Sequence, residues 1–273
     1  MGLDPIRYKP WKGQRTEHAK RFLVITDHVF RQKLRSKWLI GIIILGSILV
    51  WVFPIIIFSL SPHDSLTAEM MLETLQNGLL FIFVLIAASL VCADLISEDL
   101  RGNSLVLYLY RALRPERYLL GKVLGALLVM SLFAFIPPIA LGVAVMATQT
   151  GPDYLASAEV IGRTVIAAVL TTIFFVPVGV MLSSFTTKRT YAAVGIFMFF
   201  FTMTIVAGIF SESDINWQLL GPGNLLNYWY DIIFSEPLPE GLSSAGMALM
   251  TFVLLVPPVI VTYWRILSKG VGK

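Results

Sequence analysis

The sequence predicts an all-α polytopic membrane protein with six transmembrane helices. Of its 273 residues, 56% are hydrophobic and only 14% are charged, whereas about 25% of the residues in a soluble domain are charged. Six stretches without a charged side chain each contain an apolar core close to the ~20 residues that a helix needs to cross the hydrocarbon layer. A transmembrane barrel is disfavoured, because its strands alternate polar and apolar residues over only about ten positions. The six stretches are 38–62, 74–93, 123–152, 164–187, 190–211 and 241–264.

The distribution of positive charge predicts the orientation of these spans. Of the 21 Lys and Arg residues, ten precede the first stretch, five lie in 94–122 and three follow Trp264. The loops at the opposite ends contain no Lys or Arg but ten acidic residues, and they are 61–73, 149–160 and 211–247. Cytoplasmic loops are enriched in Lys and Arg, so both termini are expected in the cytoplasm. The pI near 9.2 then reflects topology and anionic lipid, and no nucleic-acid partner is expected.

A basic amphipathic helix is predicted in the N-terminal cytoplasmic segment, residues 1–37. Its apolar residues recur at steps of three, four and seven, and they are Phe22, Leu23, Val29, Phe30, Leu34 and Trp38. The basic residues, which take the other directions, are Lys20, Arg21, Arg31, Lys33, Arg35 and Lys37. We expect a helix that lies on the inner membrane surface and bends into the bilayer at Trp38. The alternative is a polybasic retention segment, which leaves the apolar stripe unexplained.

The segment 97–122, SEDLRGNSLVLYLYRALRPERYLLGK, is longer than a simple turn between two spans requires. The helix of the second span is expected to continue into the cytosol and to end at Gly102 in the left-handed conformation. Asn103 or Ser104 would cap a second helix of about two turns, which is too short to be stable alone in water. Its apolar face would consist of Leu105, Tyr108, Leu109 and Ala112. Pro115 would begin the helix of the third span. The apolar face rests either on lipid or in a groove of a cytoplasmic partner.

This segment resembles the signature of type-2 ATP-binding-cassette (ABC) exporter permeases. In that signature an acidic pair follows the second span, then a Gly-Thr/Ser-Leu element, a Leu-rich short helix and a Tyr/Leu-Leu-Gly-Lys start of the third span. The matching residues are Glu98, Asp99, Gly102, Ser104, Leu105, Leu109, Arg111, Leu120, Gly121 and Lys122. Ala112 departs from the family, which often has proline there. The six spans and the long outer loop extend the resemblance over essentially the whole chain.

The resemblance implies a membrane permease domain, residues 38–267, with a cytoplasmic tail at 268–273 and a location in the cell membrane. In such exporters a short cytoplasmic helix sits in a cleft of a separate ATPase subunit. The expected partners are two ATPase subunits, a second copy of the permease or a homologous permease, and the lipid bilayer. The expected ATPase-coupling residues are Glu98, Asp99, Arg101, Gly102, Ser104, Leu105, Tyr108, Leu109, Arg111 and Arg114. For each charged residue among them, a solvated or lipid-facing role remains open.

The chain itself is not expected to be an enzyme. It contains no G-x-x-x-x-G-K-[ST] sequence, the loop whose backbone amides hold nucleotide phosphates. No cofactor is therefore expected in this chain, and the partner ATPase would bind ATP and Mg²⁺. Lys188 and Arg189, in the inner loop between the fourth and fifth spans, are a possible second contact with the ATPase. The alternative for this pair is an ordinary positive-inside anchor.

The outer loop 211–246 has an unusual composition. Residues 215–234, INWQLLGPGNLLNYWYDIIF, are almost uncharged and are interrupted by Gly-Pro-Gly. We predict two short segments that dip into the outer membrane interface, with Trp217, Tyr228, Trp229 and Tyr230 at headgroup depth. The family resemblance implies a re-entrant lid near the exit of the pathway, formed by Trp217, Pro222, Tyr228 and Trp229. The alternative is an aromatic belt without a further role.

Other membrane functions fit the sequence less well. No acidic residue lies in the middle of a span, which disfavours an ion-coupled secondary transporter. His18, His28 and His63 are far apart and form no catalytic cluster with sequence neighbours, which disfavours a membrane enzyme. A single cysteine, Cys92, excludes a disulfide framework. A membrane scaffold remains open. The Thr, Ser and Met residues of the spans suit an amphipathic or lipid-like solute better than a small ion.

Overall fold

The computed structural model describes residues 20–52, 56, 68–105, 108, 114–146 and 152–270, and this part of the chain is helical without a strand. Five of its helices are long and apolar enough to cross a membrane, and a bent helix pair provides a sixth candidate. The predicted all-α class is thus confirmed, and the described residues contain five to six candidate spans, beside the six predicted. The helices are α1 (Arg21–Leu34), α2 (Lys37–Ser47), α3 (Ala68–Leu75), α4 (Gly78–Cys92), α5 (Ser97–Arg101), α6 (Pro115–Met146), α7 (Pro152–Ser184), α8 (Arg189–Phe210), α9 (Pro222–Phe234) and α10 (Ser244–Gly270).

The bent pair consists of α1 and the first span. The two helices meet at an angle of 75°, and α2 continues into a π-helical turn, Ile48–Val52. The bend lies between Leu34 and Lys37, close to the predicted position at Trp38. The position of α1 on a membrane surface stays a prediction, and most of the second half of the predicted first span lies outside the described residues.

The buried face of α1 differs from the predicted apolar stripe. Its buried residues are Ile25, Thr26, Val29 and Lys33. Leu23 is 48% exposed, and Trp38, just beyond the helix, is 81% exposed. The assignment of Lys33 to the solvent side was wrong, since only 3% of this residue is accessible. The difference arises because one side of α1 packs against other helices of the chain. That side includes Lys33, which is paired with an acidic residue of another segment.

The partner of α1 is the start of α6, where Gly121 and Gly125 form the close-packing site that the G-x-x-x-G spacing predicts. A Cβ atom on Gly121 would lie 2.8 Å from the Phe22 carbonyl oxygen, and one on Gly125 would lie 2.7 Å from the Val29 side chain. The hydroxyl of Thr26 donates a hydrogen bond to the carbonyl oxygen of Gly121 at 3.1 Å. The N-terminal helix is therefore joined directly to the third span.

The second span does not continue into the cytosol as one uninterrupted α-helix. The regular pattern of helical hydrogen bonds is interrupted at residues 93–96, between α4 and α5. Ser183 of α7 enters this break: its hydroxyl accepts the backbone N–H groups of Ile96 and Ser97, both at 3.2 Å, and donates to the Ala93 carbonyl at 3.0 Å. An inserted side chain is a recognised cause of a break in a helix. The bundle thus ties α5 to the fourth span.

The outer loop forms two short segments, in agreement with the prediction. A 3₁₀ helix, Ile215–Leu220, is followed at Gly221 by α9, with Pro222 at its start. Tyr228 and Tyr230 are buried within the chain and do not face lipid, and their predicted headgroup depth stays a prediction. The hydroxyl of Tyr228 bonds to Gln218 within the loop. Neighbouring helices cover the apolar face of α9, and this packing explains why Tyr228 and Tyr230 point inward.

Candidate functional site

The candidate site lies at the end of the bundle where α5 meets the start of α6, the end that the charge distribution predicts to be cytoplasmic. Its centre is the buried carboxylate of Asp99. One oxygen accepts the hydroxyl of Tyr118 at 2.6 Å and pairs with the Lys122 ammonium at 2.7 Å. The other accepts the hydroxyl of Ser104 at 3.0 Å. The arrangement joins the segment after the second span to the base of the third.

Three other charged residues near Asp99 remain on the surface. Glu98, Arg101 and Arg114 are exposed, and Glu98 accepts a hydrogen bond from the side chain of Gln32 at 3.1 Å. Of the two neighbouring acids, the structure therefore turns Asp99 inward and leaves Glu98 outward. Of these two described acids, Glu98 is the one that offers its charge to an approaching molecule.

The turn after α5 uses a different residue from the predicted one. α5 ends before Gly102, as expected, but Gly102 has a φ of −84°. The left-handed residue is Asn103, with a φ of 51°, and asparagine tolerates this conformation better than most residues. A Cβ atom on Gly102 would meet only the Glu98 carbonyl oxygen, at 3.5 Å. The predicted need for glycine at this position was therefore wrong.

The short helix predicted after this turn is described only in part. Leu105 is 2% exposed, so it packs within the chain. Tyr108 is half-buried with its ring 5.7 Å from that of Tyr118. Burial raises the pKa of Tyr108, and the charge of Asp99 adds to the increase, which keeps this hydroxyl neutral. Leu109 and Arg111 lie outside the described residues.

A second polar cluster ties α1, α4 and α8 together. The ammonium of Lys33 is paired with the carboxylate of Asp94 and donates to the Leu90 carbonyl at 3.0 Å. Arg189 lies 3.7 Å from the other oxygen of Asp94. Sequence reasoning missed this cluster, although a signal was present: Lys33 follows Ile25 and Val29 at steps of four on one helix face.

The inner loop between α7 and α8 lies beside Asp99. A cleft of about 260 Å³ is lined by Asp99, Asn103, Leu105, residues 185–187 and Arg265. Arg265 donates to the Ser184 carbonyl at 2.5 Å and lies over the Phe185 ring at 4.4 Å, so the last span caps the fourth. Lys188 lies over the ring of Tyr191, 5.1 Å from its centroid. Lys188 is exposed, whereas Arg189 also belongs to the Asp94 cluster.

The predicted lid residues are in the outer segment and do not join the Asp99 site. Trp217 is 45% exposed and packs on Phe210, with ring centroids 5.4 Å apart. Pro222 is buried at the start of α9, and the indole N–H of Trp229 donates to Thr251 at 2.9 Å. The predicted residues thus form two groups, one at each end of the bundle.

Comparison with known proteins identifies the family. The family model described as ABC-2 family transporter protein matches residues 23–271. No curated protein matches the chain. The match extends from α1 to the end of α10 and includes both the Asp99 site and the outer segment. The resemblance seen in residues 98–122 is thereby confirmed, and the chain belongs to the ABC-2 family of membrane transporter proteins.

Proposed function

We propose that the chain is the permease subunit of an ABC exporter, that it pairs with a second copy or a homologous permease, and that two separate ATPase subunits drive it. ATP and Mg²⁺ bind to the ATPase subunits, because this sequence contains no phosphate-binding loop. The segment 97–122 receives the force of ATP-driven closure. The outer segment 211–246 acts as the lid of the pathway.

The observation that carries this proposal is the buried Asp99 network. A cytoplasmic segment that moves spans must be joined to them by contacts that do not slip. Asp99 joins α5 to Tyr118 and Lys122 at the base of the third span, and the hydroxyl of Ser183 joins α5 to the fourth. Charge-assisted hydrogen bonds are among the stronger polar contacts in proteins. A displacement of α5 is therefore passed to two spans.

The exposed residues beside this network provide the contact with the ATPase. Glu98, Arg101 and Arg114 present both signs of charge on one end of the bundle, which suits a polar protein surface better than a uniformly anionic membrane surface. Gly102, Ser104, Leu105 and Tyr108 shape the segment. Leu109, Arg111 and, from the inner loop, Lys188 and Arg189 complete the proposed contact. Asp99 does not touch the ATPase in this proposal. It is a positioning residue, because it holds the segment that carries the contact residues.

A cross-linking experiment tests this assignment. The full-length chain carries Arg101→Cys or Arg114→Cys and is treated in native membranes with a bifunctional maleimide. We expect a cross-link to a subunit that is also labelled by a photoreactive ATP analogue. Ser213→Cys, in the outer segment and exposed, is the matched control and should give no such product. If only the control gives it, or if all three variants fail while the complex still hydrolyses ATP, the coupling assignment is wrong.

A further inference from the structure

A cleft of about 180 Å³ lies between the outer segment and the second, fourth and fifth spans. It is at the end of the bundle opposite to Asp99, since α4 begins here and reaches the cytoplasmic segment at its other end. Its size is close to that of a cavity of about 150 Å³ that holds one benzene ring. The residues on which the following argument depends are Phe81, Thr171, Phe175, Thr204, Asn224 and Asn227.

One wall of the cleft is aromatic and closely packed. The rings of Phe81 and Phe175 lie 5.9 Å apart, and Phe175 contacts Phe200 at 4.9 Å. A Cβ atom on Gly223 would lie only 2.9 Å from the Phe81 ring, so α9 approaches the second span as closely as a glycine permits. This wall is therefore formed before any ligand arrives, as is usual for small-molecule sites.

The other wall carries amide and hydroxyl groups. Thr171 donates to the Ala167 carbonyl at 2.7 Å, and so it accepts the hydroxyl of Tyr230 at 2.5 Å. Burial raises the pKa of Tyr230, and this hydroxyl stays neutral. The hydroxyl proton of Thr204 is used by the Phe200 carbonyl at 2.9 Å.

Two side-chain amides in this wall are available to form hydrogen bonds with a ligand. The side chains of Asn224 and Asn227 line the cleft and make no hydrogen bond to another residue in the described part of the chain. An amide offers both donors and an acceptor. It therefore recognises a hydroxyl or a carbonyl group equally well.

The cleft also discriminates by charge. No Asp, Glu, Lys, Arg or His belongs to its described lining. The nearby carboxylate of Asp231 accepts a hydrogen bond from Gln76 at 2.5 Å. Moving an ion into such a site without a counter-charge is unfavourable, whereas a neutral polar group keeps its hydrogen bonds through the amides.

We propose that this cleft binds the uncharged, ring-sized end of an amphipathic solute, with the aromatic wall against the ring and the Asn224 and Asn227 amides on its hydroxyl or carbonyl group. This inference rests on the proposed permease function, and it specifies the class of solute. Binding itself requires neither ATP nor the ATPase.

The test uses 4-fluorobenzyl alcohol as the probe and the purified full-length chain in detergent. Fluorine NMR of the probe measures the saturable part of its binding, which separates the site from partition into the micelle. Thr204→Phe fills the cleft and should weaken binding at least about tenfold, as expected when extra volume enters a packed site. Thr202→Phe, exposed on the same helix, is the matched control and should leave binding unchanged. Asn227→Leu should weaken it about five- to tenfold through the lost hydrogen bond.

Two charged analogues test the class of ligand. We expect 4-fluorobenzoate and 4-fluorobenzylamine to bind at least about tenfold more weakly than the alcohol. Equal binding of all three probes, or equal affinity of the Thr204→Phe and Thr202→Phe variants, overturns the proposal. If Thr204→Phe does not fold, the Asn227→Leu comparison decides alone. Because the ATPase is not in this assay, loss of the proposed coupling to ATP would leave these results unchanged.

Discussion

Asp99 is a charged residue that is buried together with a counter-charge from the neighbouring helix. Its side chain is 13% exposed, and the Lys122 side chain is 9% exposed. A buried ion pair contributes little compared with an apolar pair of the same shape, but removing one member leaves an uncompensated charge. The pair therefore specifies one position of α5 against α6 more than it adds stability.

Asp99→Ala is expected to destabilise the chain by about 3–5 kcal/mol, because Lys122 is left buried without its counter-charge. Asp99→Ala combined with Lys122→Met should recover most of this loss. Thermal or denaturant unfolding of the purified chain measures both effects. Asp27→Ala, which breaks the exposed Arg31 pair, serves as the control and should cost at most about 0.5 kcal/mol. A double variant as unstable as the single one would contradict this account.

Ser183 acts at the same scale through its hydroxyl group alone. It is fully buried, and it satisfies two backbone N–H groups and one carbonyl at the break between α4 and α5. Backbone groups in the interior of a bundle have no water to replace a lost partner. This serine therefore stabilises the break between α4 and α5.

Ser183→Ala should cost about 1–3 kcal/mol for the backbone groups it leaves unpaired. Ser184→Ala is a closely matched control, since within the described residues its buried hydroxyl bonds only to the Met181 carbonyl, one turn earlier in α7. Hydrogen exchange of the Ile96 and Ser97 amides, compared between the two variants, locates the effect. Equal exchange in both variants would show that Ser183 does not hold the break.

At the scale of whole helices, the contact between α1 and α6 shows most clearly how small residues permit close packing. Small residues allow two helices to approach closely, and in a bilayer this packing replaces the hydrophobic drive that water supplies elsewhere. Gly121 and Gly125 admit α1 so closely that its Phe22 carbonyl and Val29 side chain occupy the space of a methyl group. The N-terminal helix is thus a fixed part of the bundle.

Gly121→Ala should separate α1 from α6 and destabilise the chain by about 1–3 kcal/mol, because backbone at 2.8 Å cannot yield as a flexible side chain can. Gly195→Ala provides the control. Its Cβ atom would meet nothing within 4 Å, and alanine is favoured over glycine inside a helix by up to about 1 kcal/mol. The two substitutions should therefore shift the unfolding temperature in opposite directions. A stabilising Gly121→Ala would remove the close-packing argument.

At the scale of the whole molecule, the bundle is unevenly enclosed. About two thirds of the most apolar stretch of the second span is buried within the chain. The corresponding buried share is 17% for α8 and 22% for α10. Helices that expose most of their surface face either lipid or another protein. The fifth and sixth spans are therefore where we expect lipid and a second permease to contact this one.

The proposed orientation is tested by labelling single cysteines with a membrane-impermeant maleimide in intact cells. Cysteine at Ser213 should react, and cysteine at Thr187 should react only after the membrane is opened. Both positions are exposed, so accessibility alone does not separate them. The native Cys92 is fully buried and adds no background. Labelling of Thr187→Cys in intact cells would reverse the assigned topology.

Several features of this protein follow from the sequence alone. The spans, the bias of positive charge and the division of the outer loop at Gly221 depend on properties of local stretches of chain. A bilayer requires about 20 apolar residues for each helix whatever its neighbours are, and Gly-Pro interrupts a helix by its own backbone chemistry. The motif in residues 98–122 also pointed to the correct family.

The partners of individual polar residues were decided only by the tertiary structure. Lys33 and Asp94 are 61 positions apart, and Ser183 reaches a break 86 residues earlier. Asp99 and Glu98 are adjacent acids with the same local pattern, yet one is buried against Lys122 and the other faces outward. Which side chain turns inward depends on the space and counter-charges that other helices bring to it, and no local pattern of residues contains that information.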